Sequence, residues 1–305
     1  MRPHQDGMLL FQPAREISMK INADKFRVHP GEKLRLAKRP TLVDPFYRSE
    51  ADYKALLAKG IDKMRDLQDR LYASNRHSIL FILQAMDSAG KDGVIKHVMS
   101  GLNPQGCQVF SFKHPSEEEL DHDFLWRAVR SLPERGRIGI FNRSYYEEVL
   151  IVRVHPEILA AERLAESARD DSIWMERYRS ISGLERHLHG NGTRVVKVFL
   201  HLSKDEQRKR FLARIDDPAK NWKFGETDMK ERGFWKQYLK AYEDSLPATS
   251  TKDSPWFVVP ADDKQNARLI VSRILLDLLE GLDLAYPAVD EAQRLKLGEL
   301  RKQLT

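Results

Sequence analysis

Short apolar runs alternate with longer segments of helical periodicity along most of this chain. Apolar residues recur at helical spacing over 51–76 and predict a first helix. The run that follows, Ser-Ile-Leu-Phe-Ile-Leu at 78–83, is typical of a strand buried on both faces. Further short runs predict strands at 109–112, 137–141, 193–202 and 256–259. The intervening segments predict helices from about residue 91 and at 117–132, 144–152, 156–189, 204–245 and 266–279.

Strands that alternate with helices predict an α/β fold, in which a parallel sheet of five strands is covered by helices on both faces. Residues 1–50 contain five prolines and show poor periodicity. We expect this segment to be an N-terminal arm that wraps the domain or packs on a partner chain. Residues 51–305 are expected to form a single domain, and they contain no repeat of fixed period and no low-complexity tract.

Composition sets limits on the class of protein and on its ligands. Of the 305 residues, 41% are hydrophobic and 31% are charged, which suits a globular enzyme. The one cysteine, Cys107, excludes an internal disulfide and fits a reducing compartment. Neither a run of about 18 apolar residues nor a secretory signal is found, so we expect a cytoplasmic protein. The net charge of +6, from 51 Lys and Arg against 45 Asp and Glu, fits either an ordinary surface or an anionic ligand.

A near-match to the phosphate-loop pattern follows the first predicted strand. The segment Ala-Met-Asp-Ser-Ala-Gly-Lys-Asp-Gly at 85–93 keeps the spacing of Gly, four residues, Gly-Lys and Ser or Thr. Ala85 replaces the first glycine of the pattern, and Asp92 replaces the hydroxyl. The segment lies between a strand and a helix, where backbone N–H groups of a helix N-terminus bind phosphate. The alternative is a plain strand–turn–helix connection with acidic capping residues.

The residues of this loop have distinct expected roles. Lys91 can reach terminal phosphate oxygens as a point charge. The carboxylate of Asp87 would repel phosphate unless a cation lay between them, so we expect Asp87 to bind Mg²⁺, for which Mn²⁺ can substitute. The remaining loop residues are predicted to bind phosphate: Ser88, Ala89, Gly90, Asp92 and Gly93.

A second polar segment, Asn-Arg-Ser-Tyr-Tyr-Glu-Glu at 142–148, follows the third predicted strand. Asn142 occupies the position where phosphate-loop enzymes carry the Walker B acid, at the carboxyl end of a neighbouring strand. An Asn carbonyl can bind a metal but adds no charge. Arg143 can clamp a phosphate with two hydrogen bonds. Glu148 opens the next predicted helix, so a role at the site and a favourable interaction with the helix dipole both remain open.

A basic segment at about 204–240 is expected to form a lid. It holds eleven Lys or Arg against seven acids. Arg210 and Arg214 lie four residues apart and therefore share one helix face, and Lys220 and Lys223 follow a break at Asp217-Pro218. A basic flap that closes over a polyphosphate would expel water and bring positive charge to the transferred group. The alternative is a solvated amphipathic helix.

Four segments together resemble the motifs of the polyphosphate kinase 2 family, most closely its class III subgroup. They are Met-Asp-Ser-Ala-Gly-Lys-Asp-Gly (86–93), Phe-Asn-Arg-Ser-Tyr-Tyr-Glu-Glu-Val-Leu (141–150), Arg-Phe-Leu-Ala-Arg-Ile-Asp-Asp-Pro-Ala-Lys-Asn-Trp-Lys-Phe (210–224) and Trp-Phe-Val-Val-Pro-Ala-Asp-Asp-Lys (256–264). The resemblance covers about residues 30–285. It implies a thymidylate-kinase-like phosphate-loop fold, a three-layer sandwich with a helical lid. It also implies Mg²⁺-dependent, reversible phosphoryl transfer between inorganic polyphosphate and nucleoside mono- and diphosphates, from AMP to ADP and from ADP to ATP.

The resemblance also implies residue roles and partners. The catalytic residues would be Asp87, Lys91, Arg143, Arg210 and Arg214, with Lys220 and Lys223 binding phosphate. Nucleotide binding is assigned to Lys113, Arg127, Asn142 and Glu148. Adenine and guanine nucleotides are both open as substrates. We expect a homo-oligomer, a dimer or tetramer, and neither nucleic acid nor a membrane as a partner.

Two other functions remain as alternatives. An ATP-dependent nucleoside monophosphate kinase would be expected to carry Ser or Thr at the position of Asp92. A polyanion-binding protein without turnover would show only salt-dependent affinity, and it gives no reason for a phosphate loop, a second motif and a lid in sequence.

Overall fold

A sheet of six strands forms the centre of the molecule. The computed structural model describes residues 21–162, 164 and 172–304. The strands are β1 (Arg27–Val28), β2 (Ser78–Ala85), β3 (Cys107–Ser111), β4 (Ile138–Asn142), β5 (Thr193–His201) and β6 (Trp256–Pro260). Their spatial order is β1-β6-β5-β2-β4-β3. The five strands predicted from the sequence pair in parallel, and the unpredicted β1 adds antiparallel to β6.

Twelve α-helices lie within the described residues. They are α1 (Glu50–Ser74), α2 (Lys91–Val98), α3 (Glu117–Leu120), α4 (Trp126–Val129), α5 (Ile151–Val154), α6 (Pro156–Ala161), α7 (Ile173–Gly190), α8 (Lys204–Ile215), α9 (Glu226–Gly233), α10 (Trp235–Thr249), α11 (Lys264–Glu280) and α12 (Glu291–Leu304). In this part of the chain, none of the helices has the length and apolar character needed to cross a membrane.

Helices cover both faces of the sheet, and β2 shows this directly. Its residues alternate between two apolar clusters, because successive side chains of a strand point to opposite faces. Phe81 packs in the cluster formed with α1, α2 and α11. Its neighbour Ile82 packs in the cluster formed with α7 and α10. The apolar run at 78–83 is therefore a strand buried on both faces, and its carboxyl end carries the loop at 86–90.

Two of the predicted helices were wrong in extent. The segment 117–132 forms α3 and α4 with a turn between them, in which Leu125 N–H donates to the Asp123 carboxylate at 2.9 Å. The segment 144–152 forms a 3₁₀ helix at Tyr145–Val149 and the short α5. There, Tyr145 and Tyr146 both donate to Glu185, at 3.0 and 2.8 Å. These tertiary contacts override the helical periodicity.

The described part of the N-terminal segment packs on the domain itself. Ile21 and Phe26 are buried in the cluster with α11, and Leu36 is buried in the opposite cluster. Gly31 N–H donates to the carbonyl of Pro247 at 3.2 Å. Residues 1–20 of the expected arm lie outside the described residues, and contact with a partner chain stays a prediction.

Candidate active site

The loop between β2 and α2 has the backbone of a ligand-binding turn. Ser88 and Gly90 adopt left-handed conformations, with φ of 64° and 103°, and Gly90 is the residue that precedes α2. Glycine adopts such a φ without steric cost, whereas Ser88 adopts it against a steric penalty. Lys91 opens the helix and donates from Nζ to the carbonyl of Ala85 at 3.2 Å. Burial and the nearby Arg143 lower the pKa of Lys91, while Asp87, Glu147 and Asp92 oppose the shift.

The end of β4 meets this loop because β4 lies beside β2 in the sheet. Asn142 Nδ2 donates to the Asp92 carboxylate at 2.9 Å, which joins the two predicted motifs. Arg143 has a left-handed φ of 65°, and its guanidinium lies 3.7 Å from the Asp87 carboxylate. The backbone N–H of Arg143 donates to the carbonyl of Leu83 at 3.1 Å. The turn therefore fixes the Arg143 backbone between the two strands.

A buried polar network holds the residues that follow Arg143. Glu185 accepts hydrogen bonds from Tyr145 and Tyr146 and forms an ion pair with Lys197. Lys197 also donates to the carbonyl of Thr249 at 2.8 Å. Every member of this network has a partner, which is what makes buried charges tolerable. The two adjacent tyrosines thus anchor the Arg143 turn to α7, β5 and the end of α10.

A cavity of about 780 Å³ lies at the carboxyl edge of the sheet. It brings together residues predicted on four separate segments. These are Asp87, Ser88, Ala89, Gly90, Lys91, Asp92, Gly93, Lys113, Asn142, Arg143, Arg210, Arg214, Lys220 and Lys223. Among the described lining residues there are ten Lys or Arg against three acids. We call this the basic cavity, and its charge suits a ligand with several phosphates.

Sequence reasoning assigned no role to three cations of the basic cavity, Lys209, Lys264 and Arg268. Lys264 and Arg268 lie one turn apart at the start of α11, directly after β6. Basic residues four apart at the first turn of a helix that follows a parallel strand are a signal that the sequence contained. Arg268 also donates to the hydroxyl of Tyr53 at 3.2 Å.

The two lid arginines on α8 differ in their surroundings. Arg210 is buried, with 6% of its surface exposed. Its guanidinium donates to the carbonyls of Ser88 and Ala89, at 3.1 and 2.9 Å, and to those of Ala261 and Asp262, at 2.7 and 3.0 Å. Arg214 is half-buried and faces the basic cavity. The guanidinium of Arg210 thus contacts the backbone of the loop in this structure, and the catalytic role expected of Arg210 stays a prediction.

A second cavity of about 570 Å³ adjoins the basic cavity and shares Phe112, Lys113 and Arg143 with it. We call it the apolar cavity, because aromatic and aliphatic side chains supply much of its wall. Examples are Phe124, Leu120, Ile151, Val152, Ile158 and Ile173. Of the residues predicted to bind nucleotide, Lys113, Arg127 and Glu148 line it, whereas Asn142 lines the basic cavity.

Several charged residues of the apolar cavity pair with one another. Arg127 donates to the Glu148 carboxylate at 3.2 Å, and Arg177 donates to the Glu148 carbonyl at 2.7 Å. Arg177 also pairs with Glu162. Burial, and secondarily Glu162, raises the pKa of Glu148 to about 7, against the effect of Arg177 and Arg127. Arg127 is thus engaged in a buried ion pair, and Arg177 is a wall residue that the sequence did not indicate.

The comparisons with known proteins agree with this geometry. The sequence profile described as polyphosphate kinase 2 matches residues 47–286. The chain belongs to the polyphosphate kinase 2 family. It is 62% identical over 287 residues to an ADP-polyphosphate phosphotransferase of Rhodopseudomonas palustris, covering 94% of this chain and 99% of that protein.

Other members of the polyphosphate kinase 2 family are more distant. An AMP/ADP-polyphosphate phosphotransferase of Meiothermus ruber is 41% identical, over 88% of this chain and 97% of that one. The crystal structure of polyphosphate kinase 2 from Arthrobacter aurescens TC1 superposes with a TM-score of 0.81 at 42% identity. That superposition covers 91% of this chain and 96% of the other. Family and fold therefore agree over nearly the whole length.

Proposed function

We propose that this protein transfers a terminal phosphoryl group reversibly between inorganic polyphosphate and an adenine nucleotide, converting AMP to ADP and ADP to ATP. The observation that carries the proposal is the meeting of two unlike cavities at one arginine. Arg143 borders both the basic and the apolar cavity. A reaction between a polyanion and a nucleotide needs two such binding surfaces that face a common point.

The basic cavity is the proposed site of polyphosphate. A chain of phosphates offers negative charge at every unit and no apolar surface, so it calls for a row of cations. Lys209, Arg214, Lys220 and Lys264 supply such a row beyond the loop. Their charge would lower the electrostatic energy of any bound segment of polyphosphate, whatever the length of the polyphosphate.

The apolar cavity is the proposed site of the nucleoside. Its volume of about 570 Å³ lies within the range of roughly 300–1,000 Å³ that is typical of small-molecule pockets. The shared residue Lys113 would contact the nucleotide phosphates at the boundary. Because the relatives are named for AMP and ADP, we propose adenine nucleotides first. Use of guanine nucleotides stays a prediction.

Charge stabilisation is the proposed source of catalysis. Phosphoryl transfer passes through a loose transition state whose charge is spread over three oxygens. Lys91 and the loop amides would hold the transferred group, and Arg143 and Arg214 would stabilise the charge that develops on it. The acceptor phosphate is already an oxyanion. No side chain is therefore needed as a general base.

Asp87 is the proposed metal ligand. Within the described residues, no cluster of three or more His, Cys, Asp or Glu can hold a metal by itself, so substrate oxygens would complete the shell. The side-chain oxygens of Asn142 and Ser88 fit this arrangement, since both are buried without a hydrogen-bond partner among the described residues. Mg²⁺ held there would neutralise phosphate charge, and Mn²⁺ suits the same oxygen ligands.

The strand order and the loop support a more specific fold. We infer a thymidylate-kinase-like phosphate-loop fold of three layers, with residues 51–305 as one domain and the basic segment at about 204–240 as its lid. A homo-oligomer, a dimer or tetramer, and a cytoplasmic location also remain predictions. Light scattering of the purified protein would test the assembly.

Phosphorus-31 NMR would test the proposed reaction. The protein is incubated with Mg²⁺, polyphosphate and AMP, and then with ADP, in the absence of ATP. We expect the β-phosphate resonance of ADP and then the γ-phosphate resonance of ATP to grow as polyphosphate is consumed. Turnover that requires ATP as the donor would instead identify a nucleoside monophosphate kinase, and binding without turnover would identify a polyanion-binding protein.

A further inference from the structure

Three consecutive carbonyl groups of the phosphate loop are held from one side by helix α8. Gln207 Nε2 donates to the carbonyl of Asp87 at 3.0 Å. Arg210 Nη1 donates to the next two carbonyls, those of Ser88 and Ala89, at 3.1 and 2.9 Å. Gln207 and Arg210 are three residues apart, so they lie on the same face of α8. Both are buried, with 1% and 6% of their surfaces exposed.

The orientation of the Gln207 amide is fixed by its neighbours. The carbonyl of Asp87 can only accept a hydrogen bond, and a guanidinium can only donate one. Arg232, on α9, donates to Gln207 Oε1 at 2.7 Å and to the carbonyl of Lys204 at 2.9 Å. The Gln207 NH₂ group must therefore face the loop. This chain of contacts connects α9, α8 and the backbone of Asp87.

Holding the carbonyls also sets the direction of the amides. In a trans peptide the C=O and the next N–H point in opposite directions. Carbonyls drawn toward α8 therefore turn the N–H groups of Ser88, Ala89 and Gly90 away from it. Ala89 N–H donates to the carbonyl of Met86 at 3.2 Å. The N–H groups of Ser88 and Gly90 make no hydrogen bond within the described residues, which leaves them for an anionic ligand.

We propose that Gln207 and Arg210 form a carbonyl clamp, whose function is to orient the amides of the phosphate loop, and that Arg232 orients Gln207. These are positioning residues, because they act through the loop backbone. The proposal rests on the function proposed above. It also changes the expected lid, because α8 up to Arg210 is fixed to the loop and Arg232 ties α9 to α8, so the part of the lid that lies outside these contacts is the segment between Arg210 and Arg232.

Two substitutions test the clamp directly. Gln207→Met is close in size and removes both hydrogen bonds without adding charge. Arg210→Lys keeps the positive charge, but one ammonium group cannot reach four carbonyls. We expect kcat to fall about tenfold in Gln207→Met and about a hundredfold in Arg210→Lys, since a small misplacement of reacting groups has effects of this size. The KM for ADP should stay within about twofold, because ADP is bound in the other cavity.

Calorimetry can measure the affinity for tripolyphosphate in the absence of nucleotide. This readout does not depend on turnover. We expect the affinity to weaken about tenfold or more in both variants if the loop amides are misdirected. Arg208→Gln, an exposed position on the same helix, is the matched control and should match the wild type. Unchanged tripolyphosphate affinity in both folded variants, or wild-type kcat in Arg210→Lys, would overturn the clamp. If the wild type binds tripolyphosphate but transfers nothing to ADP, the proposed function fails and the clamp does not.

A double-mutant cycle tests the role of Arg232. If Arg232 acts by orienting Gln207, Arg232→Gln in the Gln207→Met background should cause no further loss of kcat or of tripolyphosphate affinity. Additive losses would overturn the proposed link between α9 and the loop. Circular dichroism and the Tm of each variant establish that the compared proteins are folded, and Gln207→Met supplies the decisive data if Arg210→Lys does not fold.

Discussion

The two cavities that meet at Arg143 place their charges in opposite ways. In the basic cavity, Arg214 is half-buried and Lys264 is exposed, so their charge is offered to a ligand. In the apolar cavity, Arg127 and Arg177 are buried and paired with Glu148 and Glu162. An arginine is therefore available to an anion in one cavity and forms part of the wall in the other.

This difference indicates that the role of an arginine depends more on its burial and its ion-pair partners than on its residue type. Arg210 makes the same point within the basic cavity, because it is buried and its donors are occupied by backbone carbonyls. Substitutions at free cations should therefore change substrate affinity and rate. Substitutions at paired ones should change positioning, stability and pH dependence.

Lys91 is the cation of the basic cavity for which we expect the largest effect. Replacing Lys91 by Ala should lower kcat about 10²–10³-fold, which is the cost of removing one preorganised group that stabilises transition-state charge. The initial rate of ATP formation from ADP and polyphosphate measures it. Lys96→Ala, an exposed lysine on the same helix, is the control. A Lys91→Ala rate within about threefold of the wild type would contradict the assigned role.

Arg143 should come next, with an effect on both substrates. Because it borders both cavities, Arg143→Ala is expected to lower kcat about 10²-fold and to raise the KM values of both polyphosphate and ADP. Steady-state kinetics with each substrate varied in turn would measure this. Arg135→Ala, exposed at the opposite end of β4, should leave all three constants unchanged. A change in only one KM would show that Arg143 belongs to one cavity alone.

The two cavities also differ in how far they could be predicted from the sequence. The basic cavity comes mainly from contiguous motifs at strand ends, and parallel strands bring such ends together at one edge. Asp87, Lys91 and Arg143 could therefore be assigned together without coordinates. The strands themselves were predicted because the run around Phe81 is continuous and apolar, and the run around Phe199 is mostly apolar and rich in β-branched residues.

The apolar cavity could not be predicted in this way. Its walls come from α3, α4, α5, α6 and α7. The segment 117–132 breaks at a local turn at Asp123, and the segment 144–152 breaks where tertiary contacts outweigh periodicity. Arg177 lies in the middle of a long helix, with no local signal that separates it from a surface arginine. The carbonyl clamp was missed for a related reason, because the partners of Gln207 are backbone atoms that a sequence does not display.

Glu148 allows a test on the paired side of the comparison. Its pKa is raised to about 7, above the ordinary value of about 4.3, so the protonated form is favoured in the folded state. The stability it contributes is present at low pH and is lost as the pH rises through about 7. We expect the Tm of the wild type to fall between about pH 4 and pH 7 and to level off above that range, and Glu148→Gln to flatten the fall by a few degrees.

Differential scanning calorimetry across this pH range measures the effect. Glu118→Gln, on an exposed side chain of α3, should keep the slope of the wild type. The KM for ADP should change around pH 7 in the wild type, where Glu148 titrates in the folded protein, and should lose that change in Glu148→Gln, because Glu148 lines the apolar cavity. A Tm slope that is the same in Glu148→Gln and in the wild type would show that this carboxyl group stays ionised between its two arginines.

Lys264 should show the smallest effect, because it is exposed and acts on a ligand only through screened charge. Lys264→Gln is expected to raise the KM for long-chain polyphosphate roughly two- to fivefold, in line with the modest strength of exposed ion pairs. It should leave kcat unchanged, since a cation that contacts the polyphosphate away from the reacting phosphate contributes to ground-state and transition-state binding alike.

The difference in KM between Lys264→Gln and the wild type should shrink as salt is raised, because the Debye length falls from about 10 Å at 0.1 M to about 3 Å at 1 M. Lys63→Gln, an exposed lysine of α1 that lines neither cavity, is the matched control. A loss that persists at high salt would mean that Lys264 makes a specific contact with the phosphate chain and does not act only as part of a diffuse field.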